Sequence, residues 1–173
     1  MAEKVLKTLC VFFLLPIILI CGCESPQEQK SLVTDFTADF TAQYRGVDVK
    51  GSVTTNRQGV TSISITYPET INGLNINYRD SQMEISRESL VCSADEAYLP
   101  QRSFPSQLKS VLKGVAEGRA TLTSQNENGY TYNLRTDLGN CKITADKEGE
   151  MLEAEIKDSE FYIKFSEIKT ALS

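Results

Sequence analysis

In the stretch TDFTADFTAQY, Phe36, Ala38, Phe40, Ala42 and Tyr44 alternate with Thr37, Asp39, Thr41 and Gln43. Strict alternation sends successive side chains to opposite faces of an extended chain, so this segment reads as a long half-buried strand. Arg45-Gly46 marks a turn, and Val47, Val49 and Val53 resume the alternation. The segment NRQG (Asn56 to Gly59) then turns the chain into Ile63, Ile65 and Tyr67. Pro68 withholds a ladder donor and closes that strand, and Asn72-Gly73 supplies the left-handed turn chemistry that follows. Leu74, Ile76 and Tyr78, the turn Asp80-Ser81, and Met83 and Ile85 complete the first series.

The second half is built the same way. Ala120 and Leu122 precede the turn NENG, then come Tyr130, Tyr132 and Leu134; DLGN leads into Cys141, Ile143 and Ala145. After DKEGE come Leu152, Ala154 and Ile156, and Phe161, Ile163 and Phe165 end the series. About ten short strands joined by tight turns predict an antiparallel meander.

One segment departs from period two. In SFPSQLKSVLKGVAEG, Leu108, Val111, Leu112 and Val115 fall at helical spacing. Ser103 suits the N-cap, Pro105 the first turn and Gly118 the stop, with Lys109, Lys113 and Glu117 on the opposite side. A lone amphipathic helix inside a meander has to bury its stripe on the sheet. The predicted fold is therefore mostly β: a curved antiparallel sheet or incomplete barrel, with one helix packed on its concave face.

The N-terminus follows other rules. Leu9 to Ile20 is an apolar run of twelve residues, too short for a spanning helix, which needs about 20. Lys4 and Lys7 precede it and a polar stretch follows, the pattern of a secretory signal. Ile20-Cys21-Gly22-Cys23 resembles the lipobox of bacterial lipoproteins, in which an aliphatic, a tolerated and a small residue precede an obligatory cysteine. The resemblance implies that residues 1–22 are a signal peptide and that Cys23 becomes the diacylglyceryl-modified first residue. Residues 23–31 are then the lipidated cysteine with its tether, and 32–173 a single domain. The expected location is the extracytoplasmic face of the cell membrane, with the lipid chains as the anchor.

The formal net charge is −5, and the leader carries Lys4 and Lys7 against Glu3, so the remainder is one unit more acidic. That balance argues against nucleic acid and against a polybasic membrane-binding surface. An extracytoplasmic setting permits a disulfide between Cys92 and Cys141. The alternation of Cys141 with Ile143 and Ala145 also fits a small apolar core residue, and the two readings stay open.

The chain contains no histidine. Ser-His-Asp and Cys-His catalysis and histidine zinc sites are excluded with it. Glu153 and Glu155 alternate with apolar residues and read as the wet face of a strand. DKEGE lacks the glycine and distal glutamate of a calcium loop. No phosphate-binding glycine loop is present. No catalytic residue, metal or cofactor is expected.

The order of lipobox, polar tether, meander, single helix after a proline-bearing loop and second meander resembles the lipoprotein-carrier superfamily, with its LolA/LolB-like fold. Tyr67-Pro68-Glu69 through Gly73-Leu74, the Ser-Leu before Cys92, and Leu99-Pro100 look like the clostridial, GerS-like germination lipoproteins of that superfamily. The resemblance implies an incomplete barrel whose helix closes an apolar cavity. Phe36, Phe40, Ile63, Ile65, Leu74, Ile76, Leu108 and Leu112 would line it and hold a lipid or a lipoprotein acyl chain, unless the same residues fill a solid core. The alternative implied function is a tethered module that holds a cell-wall amidase. Open sheet edges would also allow a homodimer.

Overall fold

The computed structural model describes residues 30–170; the lipobox lies outside the described residues. Eleven strands form one sheet: β1 (Phe36–Tyr44), β2 (Val47–Thr55), β3 (Thr61–Tyr67), β4 (Asn75–Arg79), β5 (Gln82–Arg87), β6 (Leu90–Asp95), β7 (Thr121–Asn126), β8 (Gly129–Thr136), β9 (Gly139–Ala145), β10 (Met151–Ile156) and β11 (Phe161–Thr170). The helix α1 (Phe104–Ala116) stands between β6 and β7. The sheet order is β6-β5-β4-β3-β2-β1-β11-β10-β9-β8-β7. Every pairing is antiparallel, so the two meanders meet at a β1–β11 seam and the sheet keeps two open edges. The expected incomplete barrel with one helix is what forms, with one strand more than the alternation predicts.

The turns behave as their residues require. Arg45-Gly46 (φ 50° and 77°) and Asp80-Ser81 (φ 48° and 65°) each close a two-residue hairpin in the left-handed region. In DKEGE the Asp146 carboxylate accepts the Glu148 and Glu150 amides at 3.0 and 2.8 Å, a plain turn. At Gly51 a Cβ would lie 1.9 Å from the Ser64 carbonyl oxygen, so only glycine lets β2 and β3 approach there.

α1 joins the two open edges, and the chain must therefore cross the concave face. Ser103 is its N-cap: the carbonyl accepts the Gln107 amide at 3.0 Å, while the hydroxyl pairs with Ser106 Oγ at 2.9 Å. Gly118, at φ 69°, ends the helix, and the Gly118 and Arg119 amides reach back to Val115 and Gly114. Leu108, Val111, Leu112 and Val115 are all buried, as their spacing predicts. Phe104 packs its ring 5.6 Å from Phe40 and 5.8 Å from Phe161, which ties the helix start to both sides of the seam. The buried amide of Gln107 is satisfied, accepting from Ser159 Oγ at 2.6 Å and donating to the Arg102 carbonyl at 3.4 Å.

Two expectations change. Val47 and Tyr67 do not join the buried face: Val47 begins β2 and Tyr67 ends β3, and they are 50% and 47% exposed. The thiols of Cys92 and Cys141 are both free. Cys141 is a core residue of β9 and Cys92 an exposed residue of β6, and seven strands separate β6 from β9 in the sheet.

Candidate binding surfaces

The residues expected to line a cavity converge, but on one another. Phe36, Phe40, Ile63, Ile65, Ile76, Leu108 and Leu112 are all buried in one continuous core, and Leu74 packs half-buried against it. Phe36 meets Phe165 edge-on at 6.0 Å. The three cavities described next are lined by other residues.

A cavity of about 640 Å³ opens on the outer side of α1, between Lys109, Lys113, Arg119 and Asp137 and the end of β6 at Asp95 and Glu96. Lys109 is not the solvated lysine its spacing suggests. It forms an ion pair with Glu96, lies 4.9 Å from the centre of the Tyr78 ring and is only 15% exposed. Burial, and then the charge of Lys113, lower its pKa. Tyr78 is 2% exposed; burial pushes its pKa up to about 12, and the Ser106 hydroxyl draws it partly back. Lys109 and Glu96 thus pin the linker after β6 to the helix. The lining mixes three cations with four carboxylates and has no single sign to attract an ion.

A second cavity, about 440 Å³, lies between the C-terminal end of α1 and the start of the described chain. Leu32, Val115, Ala116, Ala120 and Tyr132 give it apolar walls, with Lys30 and Arg57 at the sides. Arg57 is engaged by Asp35, and the Tyr132 hydroxyl donates to the Lys30 carbonyl. A third, about 410 Å³, lies over Asn77, Gln82, Glu84 and Ser93 on β4 to β6.

The outer wing of the sheet presents a surface of another kind. Leu90 and Val91 on β6 are 76% and 62% exposed, and Tyr98 just after it is 83% exposed. Ile71 and Tyr67, in and before the turn beside the wing, are 37% and 47% exposed. Arg87 Nη1 donates to the Thr70 carbonyl at 3.0 Å and fixes that turn against the end of β5. Alternation cannot reveal β6, since none of its residues is buried. The available signal is Glu88-Ser89, two polar residues between Arg87 and Leu90 that suit a hairpin loop.

Among the described residues no group of three or more histidine, cysteine, aspartate or glutamate side chains could hold a metal, and no helix is long and apolar enough to cross a membrane. The thiol of Cys141 is pushed up to about 12 by burial, which makes it inert as a nucleophile at neutral pH.

An unclosed antiparallel barrel with a helix across its concave face defines the fold class. No protein-family model matches the chain, and no curated protein matches it. Among solved structures it is similar to an uncharacterized conserved protein of Thermus thermophilus, with a TM-score of 0.52 at 8% identity over 81% of this chain and 80% of that one. It is also similar to a LolA superfamily protein of Nitrosomonas europaea (TM-score 0.42, 10% identity, 83% and 90% covered). A DUF1329 family protein of Desulfovibrio piger gives a TM-score of 0.40 at 12% identity, with 84% and 90% covered. The first likeness is one of fold alone, and the two lower scores add nothing to it.

Proposed function

We propose that the chain is a lipid-anchored, extracytoplasmic binding module without catalytic turnover, and that it works by holding a protein on its outer surface. The observation that supports this most is the contrast between a concave face plugged by α1 and a wing that carries exposed Leu90, Val91 and Tyr98. Exposed apolar groups rimmed by polar ones mark interaction surfaces. The resemblance to GerS-like lipoproteins names a cell-wall amidase as the class of partner. Full-length chain purified from detergent-solubilised membranes is expected to retain an envelope hydrolase in fixed ratio. It should show no hydrolysis of peptidoglycan by itself. Turnover by the isolated chain would end the non-catalytic reading.

The anchor is tested separately. Wild-type chain should incorporate a labelled fatty acid and sediment with membranes, and Cys23→Ser should do neither. Equal labelling of Cys23→Ser would remove the lipoprotein reading.

A second reading, binding of a lipid or acyl chain, has its own support in the apolar-walled cavity under the end of α1. Its volume falls inside the range of ordinary ligand pockets, roughly 300–1,000 Å³. Stoichiometric lipid co-purifying with Cys23→Ser, which lacks the covalent anchor, would favour it over the protein partner.

A further inference from the structure

We infer that the open edge of β6 takes up an extended segment of a basic partner protein, which adds a twelfth strand to the eleven-stranded sheet. This rests on the protein-binding reading above and names the surface and the chemistry of its partner.

The backbone of β6 is available for it. The Glu96 amide donates to the Ser81 carbonyl at 3.0 Å, which fixes the phase of the β5–β6 ladder. Bonded and non-bonded pairs alternate along an antiparallel ladder. Leu90, Cys92 and Ala94 therefore bond into β5, and Val91, Ser93 and Asp95 turn their N–H and C=O groups outward. Natural edges are normally guarded by lysine, proline or a bulge. β6 contains neither residue, and its pairing with β5 has no register shift. At the opposite edge β7 has a bulge between Leu122 and Ser124, and Thr121 and Thr123 turn their hydroxyls onto β8 carbonyls at 3.1 and 3.0 Å.

Charge decides the occupant. From Gln82 to Tyr98 there are four carboxylates, Glu84, Glu88, Asp95 and Glu96, against the single guanidinium of Arg87. Lys109 neutralises Glu96 and a backbone carbonyl occupies Arg87, so Glu84, Glu88 and Asp95, whose carboxylate also accepts the Ala97 amide at 2.9 Å and keeps its charge, fence the edge. A second copy fits this poorly. Opposite residues in a sheet share a face, so a two-fold axis normal to the sheet allows only registers that keep that parity. The register using most of β6 sets Cys92 against Cys92 and Ser89 against Asp95, and so gathers Glu88 of one copy and Asp95 of the other at each end of the pairing. Sliding by one step sets Leu90 and Val91 against Glu96 and Asp95 of the second copy, or shortens the overlap to Leu90–Cys92. A partner strand with apolar residues at its centre and lysine or arginine at its ends satisfies every one of these positions.

The test uses the full chain in detergent and two labelled peptides, Lys-Val-Thr-Val-Thr-Val-Lys and the same sequence with glutamate at both ends, followed by fluorescence anisotropy at low salt. The lysine peptide should bind, and the glutamate peptide about tenfold or more weakly. Ser93→Pro removes an outward amide and spares the β5 ladder, so it should weaken the lysine peptide by about tenfold at an unchanged urea midpoint. Val91→Lys, which guards the edge without touching the backbone, should do the same. No binding of either peptide, equal binding of both, or indifference to Ser93→Pro and Val91→Lys overturns the inference. So does a dimer in sedimentation that Ser93→Pro dissociates, since the second copy would then be the occupant. If Ser93→Pro and Val91→Lys still retain the envelope hydrolase from membranes, this inference falls while the protein-binding reading stands.

Discussion

β1 and β6 belong to one sheet and have opposite characters. β1 alternates buried and exposed side chains along most of its length, and none of the residues of β6 is buried. The difference lies in what covers them. α1 lies closest to β8, where Gly114 meets Leu134, and its start reaches the seam, where Phe104 meets Phe40 and Phe161; β6 lies five strands from β1, at the far edge of the sheet. Burial in this fold is supplied by the helix, and strands outside its footprint are held by backbone ladders and neighbours alone. The molecule is thus a packed centre with a thin wing, and substitutions should sort along that line.

The largest effect is expected at the centre. Leu112→Ala empties a side chain that is 3% exposed between helix and sheet, and should cost about 2–5 kcal/mol in urea unfolding. A loss near zero would mean that α1 does not sit on the concave face, and the contrast with β6 would collapse. Gly51→Ala comes next. The added Cβ meets a backbone oxygen of β3 and not a flexible side chain, so the strands must part. A cost of about 1–3 kcal/mol is expected, with the helix still packed. An unchanged midpoint would show that β2 and β3 are looser than drawn.

This contrast also explains what the sequence revealed. Period two exposes a strand only where one face is buried, so β1, β3, β9 and the others under or beside α1 were legible from Phe36–Tyr44, Ile63–Tyr67 and Cys141–Ala145. The helix was legible from Leu108, Val111, Leu112 and Val115 for the same reason. β6 has no buried face to alternate against and stayed hidden, although it carries the surface proposed here for binding. Helical spacing alone places Lys109 opposite the apolar stripe, on the solvent side. Its partners, Tyr78 and Glu96, come from β4 and from the linker after β6, and no local pattern brings those together. The apolar residues expected to line a cavity lie in or against the buried core. Whether such residues leave a space depends on how far a helix descends between them, which their periodicity does not encode.

A smaller effect should appear with pH. Cys141 ordinarily titrates near 9.0 and is raised to about 12, and Tyr78 rises from 10.0 to about 12, both through burial. Below about pH 9 folded and unfolded chains hold these protons alike. Above it the unfolded chain releases them first, so stability should fall as pH climbs from about 9 toward 12. Cys141→Ala deletes one of the two groups and should flatten that fall, measured as urea midpoints at about pH 8 and about pH 11. An identical fall in the variant would show that Cys141 titrates freely and is not sealed in the centre.

The smallest effect is expected on the wing. Leu90→Ser and Cys92→Ser remove exposed side chains of β6, and each should change stability by no more than about 0.5 kcal/mol. The measurement gains force when repeated across protein concentrations. A wing that is bare in the isolated chain gives the same small change at every concentration. A penalty that grows with concentration would show that β6 is covered by another copy, because mass action then couples folding to assembly. A large penalty independent of concentration would mean that this chain itself buries Leu90, and the division into packed centre and thin wing would fail at its outermost strand.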